Sequence, residues 1–307
     1  MTLLSEVPTL DLRRFDTDRD AFVRDVGEAN RQFGFCCFSS HGIPESLIAL
    51  AYGDFRKFFA LPDPVKRRYH IPGIGGARGY TPFKVETAKD LKIADLKEFW
   101  HIGYEHGDEP ANVWPDEVPE FKGHAAALME AMDLAAHRIL SVMALDLGLP
   151  DDWFRDKVEG GATVLRALHY PPVRPEDLPA VRAGAHEDID LITLLVGATD
   201  SGLEIRTRDG EWLPVRASEN TLIVNVGDML QRLTNHVYVS TTHRVVNPAD
   251  PEKSGSRYSM PYFVHPRPDF VIEPLAQCIT EDHPDRGEPA ITAGEFLDQR
   301  LAEIKLK

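Results

Sequence analysis

The feature that most constrains the fold of this chain is a set of three potential metal ligands, His186, Asp188 and His243. The first two are separated only by Glu187, so both side chains can lie on the same side of an extended strand or of its end. The third follows about 55 residues later, which is enough chain to cross several short strands and return. Two imidazoles and one carboxylate form the facial triad that binds non-heme Fe(II) and leaves coordination positions open. The pattern therefore requires a fold that brings two distant segments to one metal ion.

A candidate carboxylate-binding pair follows the third histidine. Arg257 lies 14 residues after His243, and Ser259 stands two residues further along the same face of a strand. A guanidinium group is a planar fork that can bind a carboxylate through two hydrogen bonds. An H-x-D sequence, a single histidine or a single arginine is, taken alone, most often a surface or structural feature. Their ordered combination predicts a metal site beside a carboxylate clamp.

Sequence blocks around these residues resemble those of the isopenicillin N synthase-like family of Fe(II)/2-oxoglutarate oxygenases. The resemblance runs from about residue 7 to about residue 268. In chain order, the matching blocks are Pro8-Thr9-Leu10-Asp11-Leu12, Gly34-Phe35, His41-Gly42-Ile43, His186-Glu187-Asp188 with Thr193-Leu194-Leu195, Asn225-Val226-Gly227-Asp228 with Leu230-Gln231, Thr234-Asn235, Ser240, His243-Arg244-Val245-Val246 and Arg257-Tyr258-Ser259.

The resemblance implies a mixed α+β fold. Its core is a double-stranded β-helix, or jelly-roll, with N-terminal helices packed around it. We expect a single oxygenase domain over residues 1–307, with a mostly helical part at 1–150. The jelly-roll core, which carries the iron site, is expected at 160–268.

The resemblance also implies the roles of the site residues. Fe(II) is held by His186, Asp188 and His243, while 2-oxoglutarate chelates the iron and pairs its distal carboxylate with Arg257 and Ser259. O2 is the third reactant. The expected reaction couples decarboxylation of 2-oxoglutarate, to succinate and CO2, with oxidation of a small organic substrate. Hydroxylation is the leading expectation, although desaturation, ring closure and ethylene formation also occur in the family.

A further contact with 2-oxoglutarate is expected from Tyr170. It falls where the family has a tyrosine of its N-Y-Y-P motif. In this chain the motif reads Leu168-His169-Tyr170-Pro171, so the asparagine is absent.

Four residues are expected to line the pocket of the small-molecule substrate, namely Arg166, Tyr80, Phe83 and Phe263. Arg166 precedes Tyr170 by four residues and therefore shares its strand face. Its guanidinium can bind a substrate carboxylate or form a structural salt bridge, and the sequence leaves both open.

Other functions are compatible with parts of the pattern. Isopenicillin N synthase and aminocyclopropane-carboxylate oxidase keep the same arginine and serine without using 2-oxoglutarate, so an oxidase of that type is one alternative. A non-catalytic sensor of iron or 2-oxoglutarate is another. A zinc hydrolase on the same three ligands is a poorer one, because the clamp would have no purpose.

The composition indicates a cytoplasmic enzyme without a nucleic-acid or membrane partner. A formal net charge of −15 disfavours binding to phosphate backbones and anionic membranes. No segment approaches the roughly 20 apolar residues of a membrane span, and the N-terminus does not resemble a signal peptide. The adjacent Cys36 and Cys37, with Cys278, form no disulfide framework, and we expect the adjacent pair to be buried on opposite sides of a strand.

Periodicity and turn residues predict helices in the first half of the chain and strands in the second. The predicted helices start at a cap on Asp16 or Thr17, after Pro44, near Glu120 and near Ala293; the third has an inner face that includes Leu128 and Leu134 or Ala135. The predicted strands are Phe35–Phe38, Val164–Tyr170, Ile189–Val196, Leu203–Arg206, Trp212–Pro214, Leu222–Val226, Tyr238–Val246 and Tyr258–Val264.

Several other residues are interpreted as outside the metal site. Gly73–Gly79 lacks the context of a phosphate-binding loop and is expected at the mouth of the site. Asp190 is a weaker candidate ligand than Asp188, and His236 is not expected to bind metal. The remaining histidines singled out are His41, expected to be structural, and His101 and His106, expected to be solvated in a charged loop.

Overall fold

The computed structural model describes residues 5–86, 93–107, 109–196, 201–218, 220–250 and 255–303. Within these ranges the α-helices are α1 (Arg14–Thr17), α2 (Arg19–Gln32), α3 (Glu45–Phe59), α4 (Asp63–Lys66), α5 (Phe121–Asp146), α6 (Arg155–Val158), α7 (Asp228–Leu233) and α8 (Ala293–Glu303). Short 3-10 turns lie at Arg67–Tyr69, Pro175–Asp177 and Ala276–Cys278.

The strands of the same ranges lie mostly in the second half of the chain. They are β1 (Thr9–Asp11), β2 (Phe35–Ser39), β3 (Gly79–Thr81), β4 (Glu98–Gly103), β5 (Val164–Tyr170), β6 (Ala183–His186), β7 (Ile192–Val196), β8 (Leu203–Arg206), β9 (Trp212–Pro214), β10 (Leu222–Val226), β11 (His243–Val245), β12 (Arg257–Val264), β13 (Val271–Ile272) and β14 (Ile291–Thr292).

These strands form two principal sheets. The larger sheet has the order β1-β2-β10-β7-β12-β5-β4-β3, and the smaller has the order β6-β11-β8-β9. Strands β1 and β2 pair in parallel, whereas the pairs that build the centre of each sheet are antiparallel. β13 and β14 form a separate two-stranded ladder. With the helices, this is the mixed α+β architecture with a jelly-roll core that the family resemblance implied.

The larger sheet is buried on both faces. Helices α2 and α3 each pack against α5, and α5 also packs on β7 and β12. The side chains of Cys36 and Cys37 belong to different apolar clusters, as expected for neighbours on a strand. Cys36 lies in the cluster shared with the helices, and Cys37 lies with Phe35 and Ile223. One face of the sheet is therefore covered by helices, and the other is left for the interior of the jelly-roll.

A tight turn after α2 helps to build that interior. Gly34 follows the helix with a φ of +61°, and a Cβ at this position would lie 1.9 Å from the carbonyl oxygen of Val239. Only glycine both adopts this positive φ readily and leaves room for the Val239 carbonyl oxygen. The turn starts β2 directly, so that Phe35 points its ring edge-on towards the ring of His243, with centroids 5.5 Å apart.

Most of the predicted elements are confirmed, with differences at their ends. The first long helix begins at Arg19, because residues 14–17 form a separate one-turn helix. The strand expected at Ile189–Val196 begins only at Ile192. Several short elements were not predicted, namely the strands β1, β3, β4, β6, β13 and β14 and the helices α4, α6 and α7. Each is shorter than seven residues, so its periodicity is hard to detect.

Two expectations are wrong, and one alternative is resolved. The strand predicted at Tyr238–Val246 is restricted to His243–Val245, since Asn235 and His236 adopt left-handed backbone conformations and the segment that follows them is irregular. His101 is not solvated in a loop but buried in β4. For the inner face of α5 the sequence offered Leu134 or Ala135; Ala135 is buried, whereas Leu134 points outwards with 69% of its surface exposed.

In the described parts of the chain, none of the helices has both the length and the apolar character that a membrane crossing requires.

Leu128 and Leu134 provide a matched test of the packing between α5 and the sheet. Both lie on this one helix, but Leu128 is fully buried. We expect Leu128→Ala to lower the free energy of unfolding by about 2–5 kcal/mol, because a buried cavity is created. Leu134→Ala should change it by less than about 0.5 kcal/mol. Urea denaturation of both variants measures the difference, and equal losses would contradict this packing.

Candidate active site

Three candidate ligands meet where the smaller sheet faces the larger one. His186 ends β6, Asp188 lies in the loop that follows, and His243 begins β11. His186 and His243 are direct partners in the antiparallel pairing of these strands. Their Nε2 atoms lie 3.7 Å and 3.8 Å from the Asp188 Oδ1 atom, and all three ligand atoms lie within 4.8 Å of one another. Local pairing thus places two residues side by side that are far apart in the sequence.

Hydrogen bonds behind the two imidazoles select the tautomer that a metal requires. His186 Nδ1 lies 2.8 Å from the carbonyl oxygen of Gly184, and His243 Nδ1 lies 3.1 Å from that of Thr241. Each Nδ1–H donates to a carbonyl, which leaves the lone pair of Nε2 directed at the shared point. Burial, followed by the neighbouring His243, lowers the pKa of His186 and keeps it neutral.

The carboxylate of Asp188 is fixed through one of its oxygens. Thr193 Oγ1 donates to Asp188 Oδ2 at 2.6 Å, and Asn225 Nδ2 donates to the same oxygen at 2.8 Å. Oδ1 is thereby left to face the two imidazoles. Burial alone would raise the pKa of Asp188, but the nearby imidazoles and these two donors lower it below its usual range. The group is therefore an anionic ligand.

Asp190 lies behind this arrangement and does not compete for the metal position. Its side chain is fully buried, and its Oδ2 lies 2.9 Å from the hydroxyl oxygen of Thr193. Burial and the adjacent charge of Asp188 raise the pKa of Asp190 well above its usual value. Because the Thr193 hydroxyl has one proton and donates it to Asp188, a protonated Asp190 donates to Thr193 in turn. The preference for Asp188 over Asp190 agrees with this placement.

A hydrogen bond beside the site also joins the two segments that carry the ligands. The hydroxyl of Thr242 donates to Oε1 of Glu187. Glu187 stands between two of the candidate ligands, and Thr242 directly precedes His243. The contact therefore links the β6 loop to β11 beside the site. Sequence reasoning treated Glu187 as a spacer. It named Thr193 and Asn225 only as parts of matching blocks and did not single out Thr242, since the roles of all three depend on contacts between strands.

The predicted carboxylate clamp lies in the same cavity. Arg257 and Ser259 occupy alternate positions at the start of β12, and Arg257 Nη1 lies 3.4 Å from Ser259 Oγ, to which it donates. Arg257 is 1% exposed, and its guanidinium carbon lies 5.0 Å from the ring centre of Tyr170. Tyr170 is the partner of Arg257 in the pairing of β5 with β12. All three residues line the cavity that contains His186 and Asp188.

Two of the four expected substrate-pocket residues line this cavity. Arg166, on β5, and Phe263, on β12, have side chains in the wall, and so does Lys97, which the sequence did not single out. The guanidinium carbon of Arg166 lies 5.2 Å from the ring centre of Phe263. The described cavity wall thus extends from the clamp to a second cationic region.

The other two expected residues do not reach the cavity, and these expectations are wrong. Tyr80 pairs with Trp100 across β3 and β4, on the strand face opposite to that of Arg166, and donates its hydroxyl proton to Glu98 beneath the helices. Phe83 packs with a separate group of buried apolar residues, namely Leu96, Val173 and Ala180. The alternation of side chains along β4 and β5 accounts for the position of Tyr80.

The other histidines have partners away from the three ligand atoms. His41 Nδ1 accepts a hydrogen bond from the backbone of Ile43, and His236 Nε2 lies 3.4 Å from Glu288. His106 lies in a loop, as predicted, with its Nε2 3.0 Å from the carbonyl oxygen of Gly161. None of these contacts provides a ligand directed at the shared point.

The residues present fit a divalent iron ion. The donors are two neutral imidazole nitrogens and one carboxylate oxygen on one side of a cavity, each held in orientation by a hydrogen bond to its other polar atom. This donor set, with the opposite side open, is typical of Fe(II) sites in oxygenases. A structural zinc site would instead be closed by a fourth protein ligand.

Comparison with protein families gives two matches that together cover most of the chain. A family described as the N-terminal region of non-haem dioxygenases in morphine synthesis matches residues 7–117. The 2OG-Fe(II) oxygenase superfamily matches residues 161–266, the segment that contains the five residues of the predicted iron site and clamp.

Individual proteins match over nearly their whole length. The proline hydroxylase buaE of Petromyces alliaceus is 32% identical over 97% of this chain and 99% of its own. A solved 2OG-Fe(II) oxygenase family protein of Caulobacter crescentus is 42% identical, with a TM-score of 0.89 over 98% of this chain and 100% of its own. A full-length Neurospora crassa protein, solved in complex with alpha-KG and thymine, has a TM-score of 0.86 at 28% identity, over 96% of each chain.

These matches agree with the geometry of the site and do not favour the oxidase, sensor or hydrolase alternatives. The relatives include proteins described as 2-oxoglutarate-dependent dioxygenases, and solved neighbours contain alpha-KG. The chain therefore belongs to the 2OG-Fe(II) oxygenase superfamily and is an Fe(II)- and 2-oxoglutarate-dependent oxygenase that uses O2.

Proposed function

We propose that this oxygenase hydroxylates a small organic molecule at the centre formed by His186, Asp188 and His243. The observation that carries the proposal is the convergence of three oriented ligand atoms, within 4.8 Å of one another, on a cavity that also contains a buried arginine. The oxidation is coupled to conversion of 2-oxoglutarate to succinate and CO2.

In this proposal the three residues hold Fe(II) on one side and leave the cavity side for the reactants. When bound, the iron supplies the chelation of the keto acid and the activation of O2. The protein contributes orientation: Gly184 and Thr241 fix the imidazole rings, and Thr193 fixes the carboxylate. The candidate ligands therefore need little rearrangement to receive the ion.

Arg257, Ser259 and Tyr170 bind the distal carboxylate of 2-oxoglutarate in this proposal. Because Arg257 is almost completely buried, its attraction for a carboxylate is screened by little water. The side of its guanidinium is packed against the ring of Tyr170, which limits its motion. A pre-oriented fork of this kind binds a carboxylate in one position and directs the rest of the molecule towards the metal.

The primary substrate is proposed to occupy the part of the cavity near Arg166 and Phe263. Relatives of this chain are named for small molecules: one is a proline hydroxylase, and another is solved with thymine. The described wall combines apolar side chains with a few polar groups, which suits a molecule of that size. A strongly acidic chain does not suit nucleic acid.

We also infer the organisation and the compartment of the protein. Strands from residues 1–150 join strands from residues 160–268 in the larger sheet, which supports one oxygenase domain with the iron site in the jelly-roll part. The three cysteines are buried and unpaired, as in proteins of a reducing cytoplasm.

His243→Ala tests the metal centre. The substitution removes one of three ligands, so Fe(II) affinity should fall by more than about 100-fold, which exceeds the usual effect of changing a residue behind a ligand. Anaerobic equilibrium dialysis against Fe(II) measures the change, and far-ultraviolet circular dichroism should show that the variant is folded. Wild-type iron affinity in a folded variant would contradict the assignment.

Arg257→Leu tests the use of 2-oxoglutarate. Anaerobic titration of the Fe(II)-loaded wild type with 2-oxoglutarate should produce a weak, saturable charge-transfer absorption. In the variant the dissociation constant should rise by at least about tenfold, since a charge-assisted carboxylate contact is lost, while Fe(II) binding is retained. The exposed Arg24 provides the control Arg24→Leu. Absence of absorption in iron-loaded wild type would favour the oxidase that does not use 2-oxoglutarate.

Thr193→Val tests the support of Asp188. Valine has nearly the same shape but cannot donate to the carboxylate, so Fe(II) affinity should fall by about 10–100-fold. Thr81→Val is a matched control, because Thr81 is also buried in a strand and its hydroxyl has no hydrogen-bond partner in the described structure. The same anaerobic dialysis compares the two variants. Equal iron affinities would show that Thr193 does not orient the ligand.

A further inference from the structure

The cavity is cationic although the protein is strongly acidic. The chain has a formal net charge of −15. Among the described residues that line the cavity, however, the cations are Lys97, Arg166 and Arg257, and Asp188 is the single carboxylate. The iron ion would add further positive charge. One molecule of 2-oxoglutarate offsets part of it, and Glu86 and Asp95, which are not in the described cavity wall, pair with Lys97 and Arg166. An anionic partner is favoured because the cations, and not these two carboxylates, line the cavity.

Arg166 lies too far along the wall to share the cosubstrate of Arg257. Arg257 pairs with Tyr170 at one end of β5, and Arg166 precedes Tyr170 by four residues on the same strand face. Four residues of a strand span about 13 Å. A five-carbon dicarboxylate that is held by Arg257 and chelates the metal does not extend that far. Arg166 therefore belongs to the part of the cavity that remains for the primary substrate.

The guanidinium of Arg166 is held rigidly and keeps one donor group available. Its Nε donates to His101 Nε2 at 2.5 Å. Its Nη1 forms an ion pair with Glu86, 3.3 Å from Oε1 and 3.2 Å from Oε2, so the structural salt bridge that the sequence left open is present. Its carbon lies 4.3 Å and 5.2 Å from the ring centres of Phe99 and Phe263. In the described parts of the chain, Nη2 has no such acceptor. The structural contacts thus explain the position of the side chain and leave part of its fork for a ligand.

His101 supports this orientation as a neutral acceptor. Its Nδ1 lies 2.7 Å from the carbonyl oxygen of Gly76, to which it donates, so Nε2 has the free lone pair that Arg166 requires. Burial, followed by the charge of Arg166, lowers the pKa of His101 well below its usual value. The contact also anchors the glycine-rich loop, Gly73–Gly79, against β4.

Lys97 is the second cation of this region. Its ammonium nitrogen lies 2.6 Å from Glu86 and 2.8 Å from Asp95. Burial opposes its charge, but the two carboxylates raise its pKa. Neither carboxylate is in the described cavity wall, whereas Lys97 and Arg166 both are. The anions therefore lie behind the cations, which face the cavity.

We propose that the primary substrate is a small carboxylic acid whose carboxylate binds Arg166, with Lys97 contributing to the positive potential. The apolar part of the molecule lies along Phe263 and Leu168, which line the same cavity as Arg166 and the metal ligands. This assignment rests on the proposed function of the site. A planar fork with one open edge fits the two oxygens of a carboxylate, and its positive charge favours the acid over an uncharged analogue of the same shape.

Matched acids and amides test this proposal without knowledge of the natural substrate. The probes are proline and prolinamide, phenylacetate and phenylacetamide, and hexanoate and hexanamide. Binding to the Fe(II)-loaded enzyme is measured by anaerobic calorimetry in saturating 2-oxoglutarate, which blocks Arg257. We expect at least one acid to bind tenfold or more tightly than its amide.

Variants of Arg166 assign the effect to this residue. In Arg166→Gln the affinity for that acid should fall at least tenfold, while the affinity for the amide changes less than twofold. Arg166→Lys keeps the charge without the fork and should give an intermediate loss. Arg24→Gln removes an exposed arginine and should leave both affinities unchanged. Titration of each variant with 2-oxoglutarate shows whether its metal site is intact.

The outcomes separate this inference from the function on which it rests. If no acid binds, if acids and amides bind equally to the wild type, or if Arg166→Gln retains the affinity for the acid, the proposal is overturned. Should Arg166→Gln lose 2-oxoglutarate binding through misfolding, the comparison of acids with amides in the wild type still decides. Wild type that binds iron but not 2-oxoglutarate would instead refute the proposed function, and the inference with it.

Discussion

The alternation of side chains along the central strands is the constraint on which the rest of the structure depends. In the larger sheet one face is buried under α2, α3 and α5, so most side chains of that face are apolar and form the main core. The polar Glu98 on this face is hydrogen-bonded to Tyr80 and His169. The other face of β5 and β12 carries Arg166, Tyr170, Arg257 and Ser259 into the jelly-roll. A shift of one residue in either strand would place these polar groups among the helices, where burial without partners is costly. Packing against the helices thus fixes the register of the strands, and with it the set of side chains that face the cavity.

The candidate iron site depends on polar contacts at the back of each ligand. Backbone carbonyls orient the rings of His186 and His243, and Thr193 and Asn225 hold one oxygen of Asp188. A protonated Asp190 completes the chain of hydrogen bonds behind Thr193. These groups lie on or beside β6, β7, β10 and β11, so the ligand geometry requires both sheets to be formed. A site distributed in this way is rigid because several strands would have to move together to distort it.

Much of the fold follows from the sequence, since the long helices and most strands have clear periodicity and the ordered blocks indicate the jelly-roll. The ligand set is also visible as H-x-D with a later histidine. The roles of the supporting residues cannot be recognised in the sequence. Thr193, Asn225 and Thr242 act through contacts between strands, which no local pattern reveals. Tyr80 illustrates the opposite error: it stands near the expected mouth of the site, but its position opposite Trp100 in the pairing of β3 with β4 turns it towards the helices.

The distribution of charge connects the fold to the choice of reactants. Acidic groups dominate the chain as a whole, yet Glu86 and Asp95 stand behind Lys97 and Arg166, so the cations are presented to the cavity. The two arginines occupy separate regions of the β5–β12 strand pair. Arg257, on β12, lies opposite Tyr170 at the end of β5, whereas Arg166 lies on β5 four residues before Tyr170. A sheet with a strict two-residue period can therefore offer one cation to each of two acids and hold both near the same metal. Both acids then bind to the same kind of group, a guanidinium. Which acid binds to which arginine follows from the position of that arginine along the strand pair.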